Sequence, residues 1–254
     1  MLAIERREDI MSLIRAEKSV RVNELALKYH VTEETIRRDL DKLDKAGKVK
    51  KTYGGAVLEK PVSEDPSFSD RLKVNMAEKK TIGAKAAELI EDGETIFIDM
   101  STTSLEVIKA VPSTVAITVI TNSLEAIVVL SKRPNIRLVT IGGTFDKANQ
   151  SMGGPMANAF IEHYFVDKTF FSVKGVSKVK GLTDTNEDVA ELKARMVKNA
   201  KEAILVVDGS KFGYTALMNN IQLKDIHCLV TDHQIDPTWQ GIFDDNDIDV
   251  ITTV

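Results

Sequence analysis

Between residues 95 and 254, apolar runs with the length of β-strands alternate with amphipathic, helix-like stretches, and that alternation leaves few folds open. The runs are Thr95–Asp99, Val115–Thr121, Ile136–Ile141, Lys168–Val173, Ala203–Asp208, Cys228–Thr231 and Val250–Val254. Met76–Glu91, Leu105–Ala110, Leu124–Lys132 and Glu187–Asn199 carry the helical period. Apolar strands alternating with amphipathic helices predict an α/β domain with a mostly parallel sheet covered on both faces. In such sheets a ligand sits outside the carboxyl ends of the strands.

Small polar residues follow several of these runs. They are Asp99-Met100-Ser101-Thr102-Thr103-Ser104, Thr121-Asn122-Ser123, Gly142-Gly143-Thr144 and Asp208-Gly209-Ser210-Lys211. Each alone reads as an ordinary capped turn. Together, hydroxyls before helices, close-approach glycines and Lys211 on one sheet edge predict a site for a small phosphorylated metabolite.

The first sixty residues follow a different pattern. Ile4, Ile10, Leu13 and Ile14 mark one buried helix face. After Ser19-Val20-Arg21-Val22, Asn23 is the expected N-cap of a helix over Glu24–Tyr29. His30-Val31 leads to Thr32, the expected cap of a helix over Glu33–Ala46, and Gly47 is its stop. Val49–Val57 then reads as two short strands around Gly54-Gly55. Helix, short helix, tight turn, longer helix and ribbon is the order of a winged helix-turn-helix. At about 100° per residue, Ile36, Leu40 and Leu43 of the third helix share one side. Glu34, Arg38 and Lys45 lie opposite, with Lys42 nearby and Thr35 and Arg37 on the flanks. That face can enter the major groove of double-stranded operator DNA, with Lys48, Lys50 and Lys51 setting the wing on the backbone.

Charge follows the same division. Residues 1–60 hold 14 Lys and Arg against 11 Asp and Glu, net +3, and the remainder is −7. The chain is therefore expected to divide into a winged helix-turn-helix at 1–57, a linker at 58–69 with Pro61 and Pro66, and an α/β effector-sensing and oligomerisation domain at 70–254. No apolar run is long enough to cross a membrane, and no secretion signal is legible at the start. With a single cysteine, Cys228, a reducing compartment, the cytoplasm, is expected. His30, His163, His227 and His233 lack ligand spacing, Cys228 lies within a strand, and neither a metal nor a cofactor is expected.

The stretch Arg6–Leu58, with Thr32-Glu33-Glu34-Thr35-Ile36-Arg37-Arg38-Asp39-Leu40 and the Gly-Gly-Ala-Val wing, closely resembles the N-terminal domain of the DeoR family of bacterial regulators. That resemblance implies that Thr35, Arg37 and Arg38 contact operator DNA. It extends over nearly the whole chain, since the later turns, Gly181-Leu182-Thr183 and Asp208–Gly213 look like the family's sugar-phosphate sensor. That sensor is similar to ribose-5-phosphate isomerases and CoA transferases. The resemblance implies an effector pocket using Asp99, Thr102, Thr103, Asn122, Gly142, Gly143, Gly175 and Lys211. It also implies repression relieved by a ligand. Ser101 stands where the family usually has Gly, and Lys174 and Ser177 replace acidic positions. Ser101 and Lys174 join the expected effector set. Two readings stay open there: a more acidic ligand, or a pocket that no longer senses sugar phosphate.

A rival reading is an active sugar-phosphate isomerase carrying a DNA-binding arm. Isomerisation through an enediol needs a carboxylate beside the substrate carbon. The run expected to supply it carries Lys174 and Ser177; Asp184 and Glu187 remain, but Glu187 in a first helical turn suits the helix dipole. The chain is therefore expected to be a regulator, not an enzyme. Assembly as a dimer or tetramer would match paired winged helices to a repeated operator.

Overall fold

The computed structural model describes residues 3–17, 19–45, 48–52, 54–58 and 66–253. The chain divides into two units, Met1–Pro61 and Val62–Val254. In the first, α1 (Ala3–Glu17) leads to β1 (Ser19–Arg21), α2 (Val22–Tyr29), α3 (Glu33–Lys45), β2 (Val49–Thr52) and β3 (Gly55–Leu58). The strands form an antiparallel sheet in the order β1-β3-β2. Ile10 and Ile14 of α1, Leu25 of α2 and Ile36, Leu40 and Leu43 of α3 close one core over Val20, Val49 and Ala56.

One expected cap is displaced. α2 begins at Val22, so its N-cap is Arg21 and not Asn23. Val22 is buried, and its N–H donates to the Gly54 carbonyl at 2.8 Å, so β1 runs straight into the helix. Asn23 Oδ1 accepts from the neighbouring Glu24 N–H, at 3.0 Å, a contact that caps no turn. His30, at φ 52°, makes the left-handed turn after α2. Thr32 does cap α3, its hydroxyl accepting from the Thr35 N–H at 3.3 Å. The expected last helical residue Ala46, the stop Gly47, wing residue Tyr53 and linker residues 59–65 lie outside the described residues.

The first described element of the second unit is α4 (Phe68–Lys73), whose first two residues fall in the stretch expected to be linker, and Phe68 is buried in the core. It continues through α5 (Met76–Ala87), β4 (Thr95–Ile98), α6 (Thr102–Ala110), β5 (Ile117–Thr121), α7 (Leu124–Leu130) and β6 (Ile136–Thr140). A hairpin of β7 (Thr144–Asp146) and β8 (Ser151–Gly153) precedes α8 (Pro155–Ile161) and β9 (Val166–Phe171). Next come β10 (Gly175–Ser177), β11 (Gly181–Asp184), α9 (Glu187–Lys198), β12 (Ala200–Val207) and β13 (Met218–Ile221). The unit ends with β14 (Cys228–Thr231), α10 (Pro237–Asp244) and β15 (Asp249–Thr252).

The seven expected strands form one sheet in the order β15-β14-β12-β9-β4-β5-β6, parallel at every pairing. Strand period sorts the core. Ile96, Ile98, Ile204 and Val206 face Ile82 of α5 and Leu105 and Ile108 of α6. Phe97 and Ile120 turn to Ala157 of α8 and Leu192 and Met196 of α9, while Leu205 and Val207 meet Trp239 and Phe243 of α10. The antiparallel ladders described in this unit are the β7-β8 hairpin and a small sheet in the order β10-β11-β13. From β4 the chain steps outward through β5 to β6, then returns to the other side of β4 with β9 and steps to the opposite edge. The strand order therefore reverses between β4 and β9. Such a switch point opens a crevice at the carboxyl ends of the two strands.

Candidate DNA-reading face and sensor site

The polar face of α3 is in the open. Arg38 pairs with Glu34 at 3.3 Å and Arg37 with Glu33 at 3.2 Å, each one turn apart. Arg38 is 75% exposed and Arg37 50%. Lys42 and Lys45 are exposed in the last two turns, and Thr35 is half-buried with its hydroxyl 2.9 Å from that of Thr32. On the wing, Lys50 and Lys51 are exposed. Lys51 ties the ribbon to α3: its ammonium pairs with Asp41, and its N–H donates to Asp44 Oδ1 at 3.0 Å.

What holds α3 in place is a long-range contact with no local signature in the sequence. Asp39 sits in the apolar stripe, buried, and accepts from Arg6 Nε at 2.6 Å and Arg7 Nη1 at 3.2 Å. Two arginines of α1 thus grip the buried side of α3, leaving Arg37 and Arg38 outward.

At the switch point the Asp99 carboxylate accepts from the Ser101 N–H at 3.1 Å and the Ser101 hydroxyl at 2.6 Å. Ser101 in turn caps α6, accepting from the Ser104 N–H at 3.1 Å. The extra side chain at Ser101 is therefore a helix cap. Thr102 and Thr103 are buried in the first turn. Across the crevice, Lys193 of α9 donates to the Ser172 carbonyl at 2.6 Å and to Asp184 at 3.0 Å, and lies 3.5 Å from Asp99 Oδ2. Burial pushes the Asp184 carboxyl above the ordinary range despite the Lys193 ammonium beside it. Half-buried Lys174 adds positive charge nearby, and its N–H donates to the Thr183 carbonyl at 3.0 Å. Gly175 is needed for packing, since a Cβ there would lie 2.3 Å from the Tyr214 carbonyl oxygen. Of the carboxylates weighed for the isomerase reading, Asp184 is paired with Lys193 and Glu187 is exposed at the start of α9.

A second concavity, a cleft of about 380 Å³, lies between the β7-β8 hairpin and the N-terminal turns of α8 and α9. Asn122, Thr144, Ser151, Gly153, Asn186 and Asp188 contribute to its wall, and no Lys, Arg or His does. Asn122 donates to the Met152 carbonyl at 2.8 Å, while its buried Oδ1 has no hydrogen-bond partner among the described residues. Gly142 and Gly143 are exposed at the entry to the hairpin. Gly143, at φ 134°, passes so close to β8 that a Cβ would lie 2.4 Å from the Gly153 carbonyl oxygen.

Lys211 ends the 3-10 turn Gly209–Lys211, beside buried Asp208. Burial raises the Asp208 carboxyl, but Lys211 and hydrogen bonds from Ser210 and Asn75 outweigh it and hold it below the usual range. Neither Lys174 nor Lys211 lines the cleft. The expected effector residues thus fall into three groups: Asp99, Ser101, Thr102 and Thr103 with Lys174 and Gly175; Asn122 with Gly142 and Gly143; and Lys211, beside Asp208. Cys228, half-buried against the core, has its thiol pushed up to about 12 by burial. Among the described residues no three His, Cys, Asp or Glu side chains converge as metal ligands, and no helix is long and apolar enough to cross a membrane.

Comparison with known proteins accounts for both units. The profile described as a DeoR-like helix-turn-helix domain matches residues 6–62, and that described as the DeoR C terminal sensor domain matches residues 74–233. The HTH-type transcriptional regulator YulB of Bacillus subtilis is 38% identical, over 98% of this chain and 96% of its own length. The HTH-type transcriptional repressor GlcR of the same organism is 32% identical, over 98% and 96%. Among solved structures, ribose 5-phosphate isomerase A from Methanocaldococcus jannaschii matches 54% of this chain and 55% of its own at 21% identity, with a TM-score of 0.40. With a family profile on each unit and relatives aligned almost end to end, the chain belongs to the DeoR family of helix-turn-helix transcriptional regulators.

Proposed function

We propose that this regulator is a repressor of carbohydrate-metabolism genes, released from its operator by a phosphorylated sugar or related anionic metabolite. Thr35, Arg37, Arg38, Lys42 and Lys45 face the major groove, and Lys50 and Lys51 set the wing on the backbone. The observation that carries this reading is the outward Arg38 face, held by the Asp39 grip on Arg6 and Arg7. GlcR, aligned over nearly all of both chains, is itself described as a repressor.

The effector reading rests on the crevice between β4 and β9 and the neighbouring cleft. The charged group of the ligand goes to the first turn of α6, with Lys174 and Lys211 supplying positive charge. Its hydroxyl-bearing part goes to the cleft, which offers acceptors and no cation. A ligand that binds the DNA-free geometry better lowers operator affinity by the ratio of its affinities for the two states. Assembly into a dimer or tetramer through the sensor domain lets paired α3 helices meet a repeated operator. The working map for this reading is a DNA-binding domain over residues 1–57, a linker from residue 58, and a sensing and assembly domain up to residue 254 that begins with Phe68, whose side chain packs in its core.

Arg38→Ala tests the DNA half. It costs roughly 1–3 kcal/mol of operator affinity and relaxes preference at one base pair; uniform loss on all DNA makes Arg38 a phosphate contact. A thermal-shift screen of phosphorylated sugars and acids tests the effector half. Lys211→Ala then keeps DNA binding and loses the response to any ligand found. An unchanged response removes Lys211 from the site.

A further inference from the structure

The outward face of α3 is not simply basic. Around the pole opposite Ile36, Leu40 and Leu43, at about 100° per residue, lie Glu34, Arg38, Asp41 and Lys45. The acids divide by what they touch. Asp41 and Asp44 hold the wing through Lys51. Among the described residues, the side-chain hydrogen bonds of Glu33 and Glu34 run only to Arg37 and Arg38. Glu34 is 66% exposed and packs no core. A face that only gripped phosphates would be weakened by a carboxylate at its centre, because like charges repel the very groups being bound.

We propose that Glu34 is a specificity-determining residue of DNA readout. Its carboxylate accepts from the N4 amino group of a cytosine while Arg38 donates to O6 and N7 of a nearby guanine. The two residues sit one turn apart, roughly 5–6 Å between Cβ atoms. Against about 3.4 Å per base step, that separation spans one to two base pairs. Without DNA, Glu34 holds the Arg38 guanidinium; on DNA lacking the cytosine, it faces an unrewarded desolvation and nearby phosphates, so wrong sequences are rejected. This inference rests on α3 entering the major groove, as in the function proposed above.

The experiment uses the full chain. Wild type, Glu34→Gln and Arg38→Ala are each selected against a randomised duplex library, and affinity for random-sequence duplex is measured across a salt series. Wild type recovers a fixed cytosine within two base pairs of a fixed guanine. Glu34→Gln loses that cytosine, or exchanges it for adenine, whose N6 and N7 edge suits glutamine. Its affinity for random duplex rises about fivefold, with a salt slope steeper by about one. An unchanged base preference with unchanged random-duplex affinity overturns the inference and leaves Glu34 serving the helix dipole. If Arg38→Ala weakens operator binding while Glu34→Gln changes nothing, only this inference fails. If Arg38→Ala leaves DNA binding intact, the groove reading fails with it.

Discussion

Lys193 and Asp184 form an ion pair 3.0 Å long in which both side chains are at least 95% buried. Lys193 also reaches the Ser172 carbonyl and Asp99, so one ammonium joins the carboxyl ends of β4, β9 and β11 to α9. Removing one partner of such a pair strands the other charge in a poor solvent. Lys193→Met is therefore expected to cost about 3–5 kcal/mol in denaturant unfolding of the full chain. Adding Asp184→Asn recovers part of that loss, because the stranded carboxylate goes with it. A double variant no more stable than Lys193→Met would mean the two side chains do not interact energetically.

The first unit repeats the device at Asp39. Asp39→Ala leaves Arg6, 9% exposed in its side chain, without its main carboxylate. The expected loss is about 3–5 kcal/mol in the unfolding transition of the N-terminal unit. Operator affinity falls with it although Asp39 lies on the side of α3 away from the reading face. Arg37→Ala, at an exposed i,i+4 pair, changes stability by no more than about 0.5 kcal/mol. Comparable stability losses for the two variants would contradict the assignment of Asp39 as the anchor.

These two clusters mark where the sequence stops being readable. The seven strands were legible because each carries its own apolar run, and α3 because Ile36, Leu40 and Leu43 repeat at helical spacing. Asp39 lies three residues after Ile36 and four before Leu43, and Lys193 stands likewise between Ala190 and Val197. A charge in an apolar stripe signals a buried pair, but its partner lies far along the chain and no local pattern names it. Asn23 failed as a cap for the same kind of reason: the Val22–Gly54 hydrogen bond is long-range and overrides local capping preference. The strands β7, β8 and β10, three residues each, are too short to show a period. Ser101 stands out in the sequence as a departure within a turn, but its partners, Asp99 and Ser104, are brought to it by the fold.

At Gly143 the β7-β8 hairpin beside the cleft depends on a missing side chain. The φ of 134° there disfavours any L side chain, and the Gly153 carbonyl occupies the space of a Cβ. Gly143→Ala is expected to destabilise the fold by about 1–3 kcal/mol and to push β7 away from β8. The check combines thermal unfolding with hydrogen exchange at Met152, whose N–H donates to the Asn122 carbonyl at 3.0 Å. Faster exchange there together with a lowered unfolding temperature is the expected pattern, and unchanged exchange would show that the hairpin tolerates the side chain.

Asp208 and Asp184 are buried carboxyls moved in opposite directions, and their contributions to acid stability have opposite signs. For Asp208, Lys211 and the Ser210 and Asn75 donors overcome burial and lower the carboxyl from its ordinary 3.8. Its stabilisation is therefore present above pH 3.8 and lost as pH falls through its lowered native value. For Asp184 burial dominates and raises the carboxyl, so its favourable contribution is full below pH 3.8 and is lost as pH rises through the raised value. Unfolding midpoints of wild type, Asp208→Asn and Asp184→Asn from neutral pH down to about pH 3 separate the two. Asp208→Asn starts about 1–2 kcal/mol less stable at neutral pH and loses less on acidification than wild type. Asp184→Asn loses more on acidification than wild type, because the group that gained stability from protonation is gone. Parallel pH curves for the two variants would show that neither carboxyl is shifted in the native state.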